Sequence, residues 1–257
     1  MELFYNSYGD DGPPLIILHG LLGANGNWHT LSRTALSDVA RVYAVDQRNH
    51  GRSPHTSEMS YAHMAADVRG FIDRHDLGTA HLLGHSMGGK TAMQTALTYP
   101  ELVDRLLVVD MAPRAYPPHH EELLEALADI DPSAYERRED IDAALAEDVP
   151  SRPVRQFLLK NLDYDGDRYR WAMNLDALRA QYDALNAALP AEGSFEGPTL
   201  FVRGGHSDYV SDADLPGIRD RFPNARLVTI DDAGHWVHAD AADAVADVVV
   251  DFLSDDA

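Results

Sequence analysis

Ser86 sits in Gly84-His85-Ser86-Met87-Gly88, a Gly-x-Ser-x-Gly string. A short apolar run, His81 to Leu83, precedes it, and Thr91, Ala92, Ala96 and Leu97 follow at helical spacing until Tyr99-Pro100. A strand, a turn of almost no length and a helix in that order lift a serine hydroxyl clear of a sheet, and the chemistry that serves is nucleophilic attack on an acyl carbon. Such a turn forces Ser86 into a backbone region that side-chain-bearing residues rarely adopt. Gly84 and Gly88 are then needed because a side chain at either position would collide with the neighbouring strand or helix. The N–H of Met87 opens the helix, where negative charge is favoured. A second donor toward the same charge is the N–H of Leu21, in the glycine-rich His19-Gly20-Leu21-Leu22-Gly23 after an apolar run. Together they are the expected oxyanion hole.

A serine hydroxyl needs a base within hydrogen-bond reach, and histidine suits neutral pH. Of 13 histidines, His235 follows a glycine after the last expected strand, matching the order serine, acid, histidine for this architecture. Two aspartates can orient it: Asp110, ending the strand after the serine's helix, and Asp208, after the next strand. The other histidines read as structural. His81 and His85 are about 13 Å apart along a strand, His119-His120 opens a solvated helix, and His235-Trp236-Val237-His238 lacks a carboxylate at metal-site spacing. No metal site is expected.

The elements that must position these groups alternate. Glu2 to Tyr8 reads as an edge strand or hairpin, and Leu15 to Leu18 as a strand covered on both faces. Trp28 to Leu36 can form a helix, Arg41 to Val45 a strand, and Tyr61 to His75 a helix with Met64, Ala65, Val68, Phe71 and Ile72 on one face. Arg105 to Val109 is a further strand. Pro198 to Val202 and Ala225 to Ile230 are the last two, with helices over Asp214 to Phe222 and Ala241 to Leu253. Asp46 and Arg48, at a strand end, are expected to tie a loop down. Between Pro117 and about Ala191 the pattern becomes helical and charged. Four helices are expected there, over Glu121 to Ile130, Arg137 to Asp148, Val154 to Leu162 and Asn174 to Leu189. The reading is an α/β protein with a mostly parallel, doubly wound sheet. Residues 1–114 and 192–257 form its core, and 115–191 a helical cap inserted before the penultimate strand. Ligands in such sheets bind at strand C-terminal ends, where His19, Ser86, Asp110, Asp208 and His235 all fall.

The chain has 257 residues, a formal charge of -21, no cysteine and only two lysines, Lys90 and Lys160. The acidic surface predicts solubility at high salt, and so a halophilic source. It argues against nucleic acid or an anionic membrane as partner, since no basic patch is visible. Without cysteine there is no disulfide, thiolate metal site or cysteine nucleophile. No basic-then-apolar leader opens the chain and no run approaches a membrane span, so a cytoplasmic location is expected. A monomer or small homo-oligomer fits this size.

Taken together, His19 to Gly23, Asp46-Gln47-Arg48-Asn49-His50-Gly51-Arg52-Ser53, Gly84 to Lys90 and Gly234 to His238 resemble an α/β-hydrolase of the YbfF-like esterase group. The resemblance spans nearly the whole chain and is weakest in the cap. It implies hydrolysis of short-chain acyl esters, or acyl thioesters, with no cofactor and a small-molecule acyl ester as partner. It also bears on the acid, because that group resembles Gly-Gly-x-Ser where Gly204-Gly205-His206-Ser207 stands here, which favours Asp110 over Asp208. Phe157, Leu158, Tyr182 and Leu185 are the expected cap residues lining the acyl site. Other readings on the same triad are a cofactor-free haloperoxidase, a carbon–carbon bond hydrolase or a slow-turnover ligand-sensing module. A dehalogenase or epoxide hydrolase would need a carboxylate at position 86.

Overall fold

The central strands of this chain are short, β-branched or leucine-rich, and mostly buried on both faces, which is why they form the inside of a layered structure. The computed structural model describes residues 1–255. Among them is a seven-stranded sheet of β1 (Tyr5–Tyr8), β2 (Pro14–Leu18), β3 (Arg41–Val45), β4 (Ala80–His85), β5 (Val103–Val109), β8 (Thr199–Gly204) and β9 (Ala225–Ile230). Their spatial order is β1-β3-β2-β4-β5-β8-β9. β1 pairs antiparallel with β3, and every other pairing in the sheet is parallel. The edge strand is the polar, half-exposed Tyr5–Tyr8, as its weak alternation predicts.

Alternate residues of the central strands feed two cores. Ile16, Leu18, Leu82, Leu106 and Val108 pack toward α2 (Tyr61–Arg74) and α3 (Met87–Thr98). Leu15, Ile17, Leu83, Leu107 and Val109 pack toward α1 (His29–Thr34) and the last helix, Ala242–Ser254. Each such Leu or Ile contributes roughly 1.5–3 kcal/mol by leaving water. The helix expected over Trp28 to Leu36 is shorter at both ends, because 3-10 turns at Asn25–Trp28 and Leu36–Asp38 flank it.

Between β5 and β8 lies the helical insertion. It contains α4 (Glu121–Ala128), α5 (Arg138–Leu145), α6 (Arg152–Leu158), a hairpin of β6 (Leu162–Tyr164) and β7 (Tyr169–Trp171), α7 (Leu175–Ala180) and α8 (Tyr182–Asn186). Two expectations are corrected here. The helix expected over Val154 to Leu162 ends at Leu158 and gives way to the hairpin. Its turn is set by Asp165, whose Oδ1 accepts from the N–H groups of Asp167 and Arg168, and by Gly166 at φ +99°. Strands of three residues are too short to show a period, so the sequence pattern could not display them. The helix expected over Asn174 to Leu189 breaks at Gln181, whose φ of -110° and ψ of 9° leave the helical region. Past β9 (Ala225–Ile230), α9 (Leu215–Arg221) having come before it, a short α10 (Val237–Asp240) precedes α11 (Ala242–Ser254). No helix among the described residues is long and apolar enough to cross a membrane.

Candidate active site

The C-terminal ends of β4 and β5 and the loop after β9 meet above the sheet. Ser86, between β4 and α3, has φ +54° and ψ -120°, an unfavourable backbone held by the surrounding packing. A Cβ on Gly84 would run into the carbonyl oxygen of Gly88, and one on Gly88 into that of Leu18. Strand, turn and helix are therefore packed too closely for any other residue at those two places.

His235 Nε2 lies 3.1 Å from Ser86 Oγ, and its Nδ1 lies 2.8 Å from Asp110 Oδ2. Asp110 is fully buried and itself has φ +51°. It also accepts from the N–H of Gly204 at 3.1 Å and from the hydroxyl of Ser207. Three donors around the carboxylate fix its direction. Asp208 is exposed, in the turn after β8, so the Gly-Gly-x-Ser stretch supplies Ser207 to Asp110. The ring of Tyr209 stacks on the His235 imidazole at 3.8 Å and 18°. Its hydroxyl is pushed up to about 12 by burial.

Leu21, Ser86 and Met87 line one small cavity together. Met87 is the first residue of α3, so its N–H has no acceptor within the helix. The Leu21 loop is held by two buried histidines. His19 Nδ1–H donates to Gly20 O at 2.8 Å, and its Nε2 accepts from the N–H of Gln47 at 3.0 Å. His50 Nδ1–H donates to Arg48 O at 3.0 Å, and its Nε2 accepts from the N–H of Leu22 at 3.2 Å. Each ring is thus a neutral staple between the loops after β2 and β3. Burial lowers both, His50 to about 3 with His19 as the next cause.

Asp46 and Arg48 hold this region as expected, but with separate partners. Asp46 accepts from Asn25 N and Nδ2 and from Arg52 N. Arg48 makes a two-point ion pair with Asp67 on α2, at 2.6 and 2.9 Å. Removing one member of such a buried pair costs about 3–5 kcal/mol.

Several residues that looked structural come close to Ser86. His120, expected on a solvated helix, is half-buried and lines the cavities on both sides of the serine. Its N–H donates to Tyr182 Oη at 2.7 Å, and burial, then His235, brings it down to about 4. His85 Nε2 lies 2.9 Å from His235 O, and His238 stacks on Trp28 with centroids 4.5 Å apart. Burial lowers His85 well below its usual range and His238 to about 4. Lys90, one turn after Ser86, is 1 % exposed and donates to Ala187 O at 2.6 Å and Asn186 O at 3.3 Å. Of the expected lining residues, Phe157 faces the larger cavity and Tyr182 and Leu185 the smaller. Leu158 is fully buried in the apolar core and lines neither cavity. Among the described residues no three His, Asp or Glu side chains converge to hold a metal ion.

The family described as the alpha/beta hydrolase fold matches residues 13–242. The chain is 38% identical to the sn-1-specific diacylglycerol lipase ABHD11 of Mus musculus, over 99% of this chain and 86% of that one. It is 35% identical to the esterase YbfF of Escherichia coli (strain K12), over 94% and 93%. A marine microorganism esterase of known structure superposes with a TM-score of 0.95 at 40% identity, covering 98% of this chain and 99% of that one.

Proposed function

Because this chain belongs to the alpha/beta hydrolase fold family, we propose that it is a serine hydrolase of short-chain carboxylic esters, of the YbfF-like esterase group. The observation that carries the reading is the unbroken line Ser86 Oγ, His235 Nε2, His235 Nδ1, Asp110 Oδ2, with contacts of 3.1 and 2.8 Å. Residues 115–191 serve as the cap and 1–114 with 192–257 as the core.

Ser86 Oγ attacks the acyl carbon while its proton passes to His235 Nε2. The carbonyl π electrons move onto oxygen, and the N–H groups of Leu21 and Met87 receive that charge, each worth about 3 kcal/mol in the transition state. Asp110 holds His235 in the tautomer with hydrogen on Nδ1 and stabilises the imidazolium that forms. As the tetrahedral intermediate collapses, the C–O bond to the alcohol breaks and Nε2–H protonates the leaving oxygen. Water then repeats the sequence on the acyl-enzyme, giving the acid and restoring Ser86. Acyl thioesters can follow the same course. Nothing in these steps calls for a metal or an organic cofactor.

Replacing Ser86 by Ala should lower kcat for 4-nitrophenyl butyrate by a factor of about 10⁶, with circular dichroism unchanged. A fluorophosphonate should label Ser86 in the wild type, read by peptide mass spectrometry. Retained turnover in Ser86→Ala would end the assignment of the nucleophile.

A further inference from the structure

Ser86 stands at the wall between two unlike cavities. One, of about 160 Å³, is bordered by His235, His238, Trp28, Phe157 and Trp236. The other, of about 40 Å³, is bordered by Met87, Lys90, Tyr61, Tyr116, Tyr182 and Tyr209. His235 borders only the first, Met87 only the second, and Ser86 and Leu21 border both.

On the reading above, the tetrahedral carbon carries Ser86 Oγ, the oxyanion, the leaving oxygen and the acyl chain. The leaving oxygen must take its proton from His235 Nε2, so the leaving group lies in the larger cavity. The acyl chain is left with the smaller one. At about 40 Å³ against 160 Å³, that chamber takes only a short acyl chain.

The far end of the chamber is polar. Tyr61 Oη donates to Leu185 O and Tyr116 Oη to Tyr209 O, both at 2.7 Å. Tyr182 Oη accepts from the N–H groups of His119 and His120 and has His120 Nδ1 at 3.3 Å. Lys90 differs: burial, then Arg114, lowers it to about 7, and at pH 6 its ammonium has three N–H groups and, among the described residues, two acceptors, the carbonyls of Asn186 and Ala187. The rings of Tyr61 and Tyr116 flank it at 5.4 and 5.0 Å. A buried donor without an acceptor is costly, and a ligand that supplies one gains accordingly.

We infer that the smaller chamber is the acyl site and that Lys90 is a specificity residue, offering its remaining N–H to an oxygen on the third carbon of a short, uncharged acyl group. The preferred substrates are then esters of 3-hydroxy or 3-oxo acids of three or four carbons. A neutral oxygen fits better than a carboxylate, because an anion must approach a chain of formal charge -21 and shed its hydration in a chamber this small.

The test pairs phenyl 3-hydroxypropanoate with phenyl butyrate, which have equal numbers of non-hydrogen atoms in the acyl chain. Phenyl hexanoate and the monophenyl ester of succinic acid complete the panel. Each kcat/KM is measured at pH 6, where Lys90 is charged, and divided by the hydroxide-catalysed rate of the same ester. The hydroxyl ester should exceed the butyrate about tenfold, the gain from one hydrogen bond to a charged group, and both should exceed the hexanoate. In Lys90→Met the hydroxyl preference should fall to unity. A wild-type ratio at or below one, a ratio unchanged in Lys90→Met, or hexanoate as the better substrate would each overturn the inference. A succinate ester above the hydroxyl ester would overturn the choice of an uncharged acyl group. Should Lys90→Met not fold, the wild-type ratios decide alone. If no ester, acetate included, is hydrolysed, the serine hydrolase reading itself has failed, which is a different result from hydrolysis without the preference.

Discussion

The loops around Ser86 and the inserted helices above them use polar side chains in opposite ways. Beneath the site, several buried polar groups have specific partners: His19 and His50 as neutral staples, Asp110 with three donors, Arg48 on Asp67. In the insertion the ion pairs Arg137–Asp140, Arg170–Asp163 and Arg168–Asp165 lie at the surface, within three to seven residues of each other in sequence. Such exposed pairs contribute little and are screened by salt. The contrast divides the labour. The core fixes the line Ser86, His235, Asp110, while the insertion shapes the cavities and is tied to the core through a shared apolar cluster and through hydrogen bonds such as those of Tyr61 and Lys90 to the end of α8 and of Asn161 to Leu22.

The largest effect should come from the core's acid. Asp110→Asn should lower kcat about 10⁴-fold by presenting the wrong tautomer of His235, with Asp208→Asn near wild type. The opposite ranking in steady-state kinetics would transfer the role to Asp208.

A smaller effect tests the buried histidines. His238 titrates near 4 when folded and near 6.5 when unfolded. Between those values the unfolded chain binds more protons, so stability is retained above pH 6.5 and lost as pH falls toward 4. The loss from this one group is on the order of 3 kcal/mol, and His50 adds to it in the same direction. Urea midpoints should therefore drop from pH 7 to pH 4.5, with a shallower slope in His238→Gln. A pH-independent midpoint would show that these rings are not held neutral.

The smallest effect belongs to the insertion. Arg170→Gln, which removes an exposed pair with Asp163, should shift the urea midpoint only slightly, and not measurably in 2 M salt. In the same salt the wild type should keep or gain activity, since the formal charge of -21 repels itself less when screened. Activity that falls with salt would count against a halophilic source.

Much of this was readable in the residue order, and the reason is local. Runs such as Leu15–Leu18 and Leu82–Leu83 have no polar face, so they belong inside a sheet. Gly84 and Gly88 around Ser86 announce a turn too tight for side chains, and Asp110 and His235 were marked by standing just past strands. What local pattern lacks is any record of which distant surfaces meet. Folding alone brought Ser207 onto Asp110, across 97 positions, and Tyr209 onto the face of His235. It likewise buried Lys90 against the carbonyls of Asn186 and Ala187, nearly a hundred residues away. Periodicity says that a residue is inside or outside; only the packed chain says what it is inside with, because that depends on how the insertion folds back over the sheet.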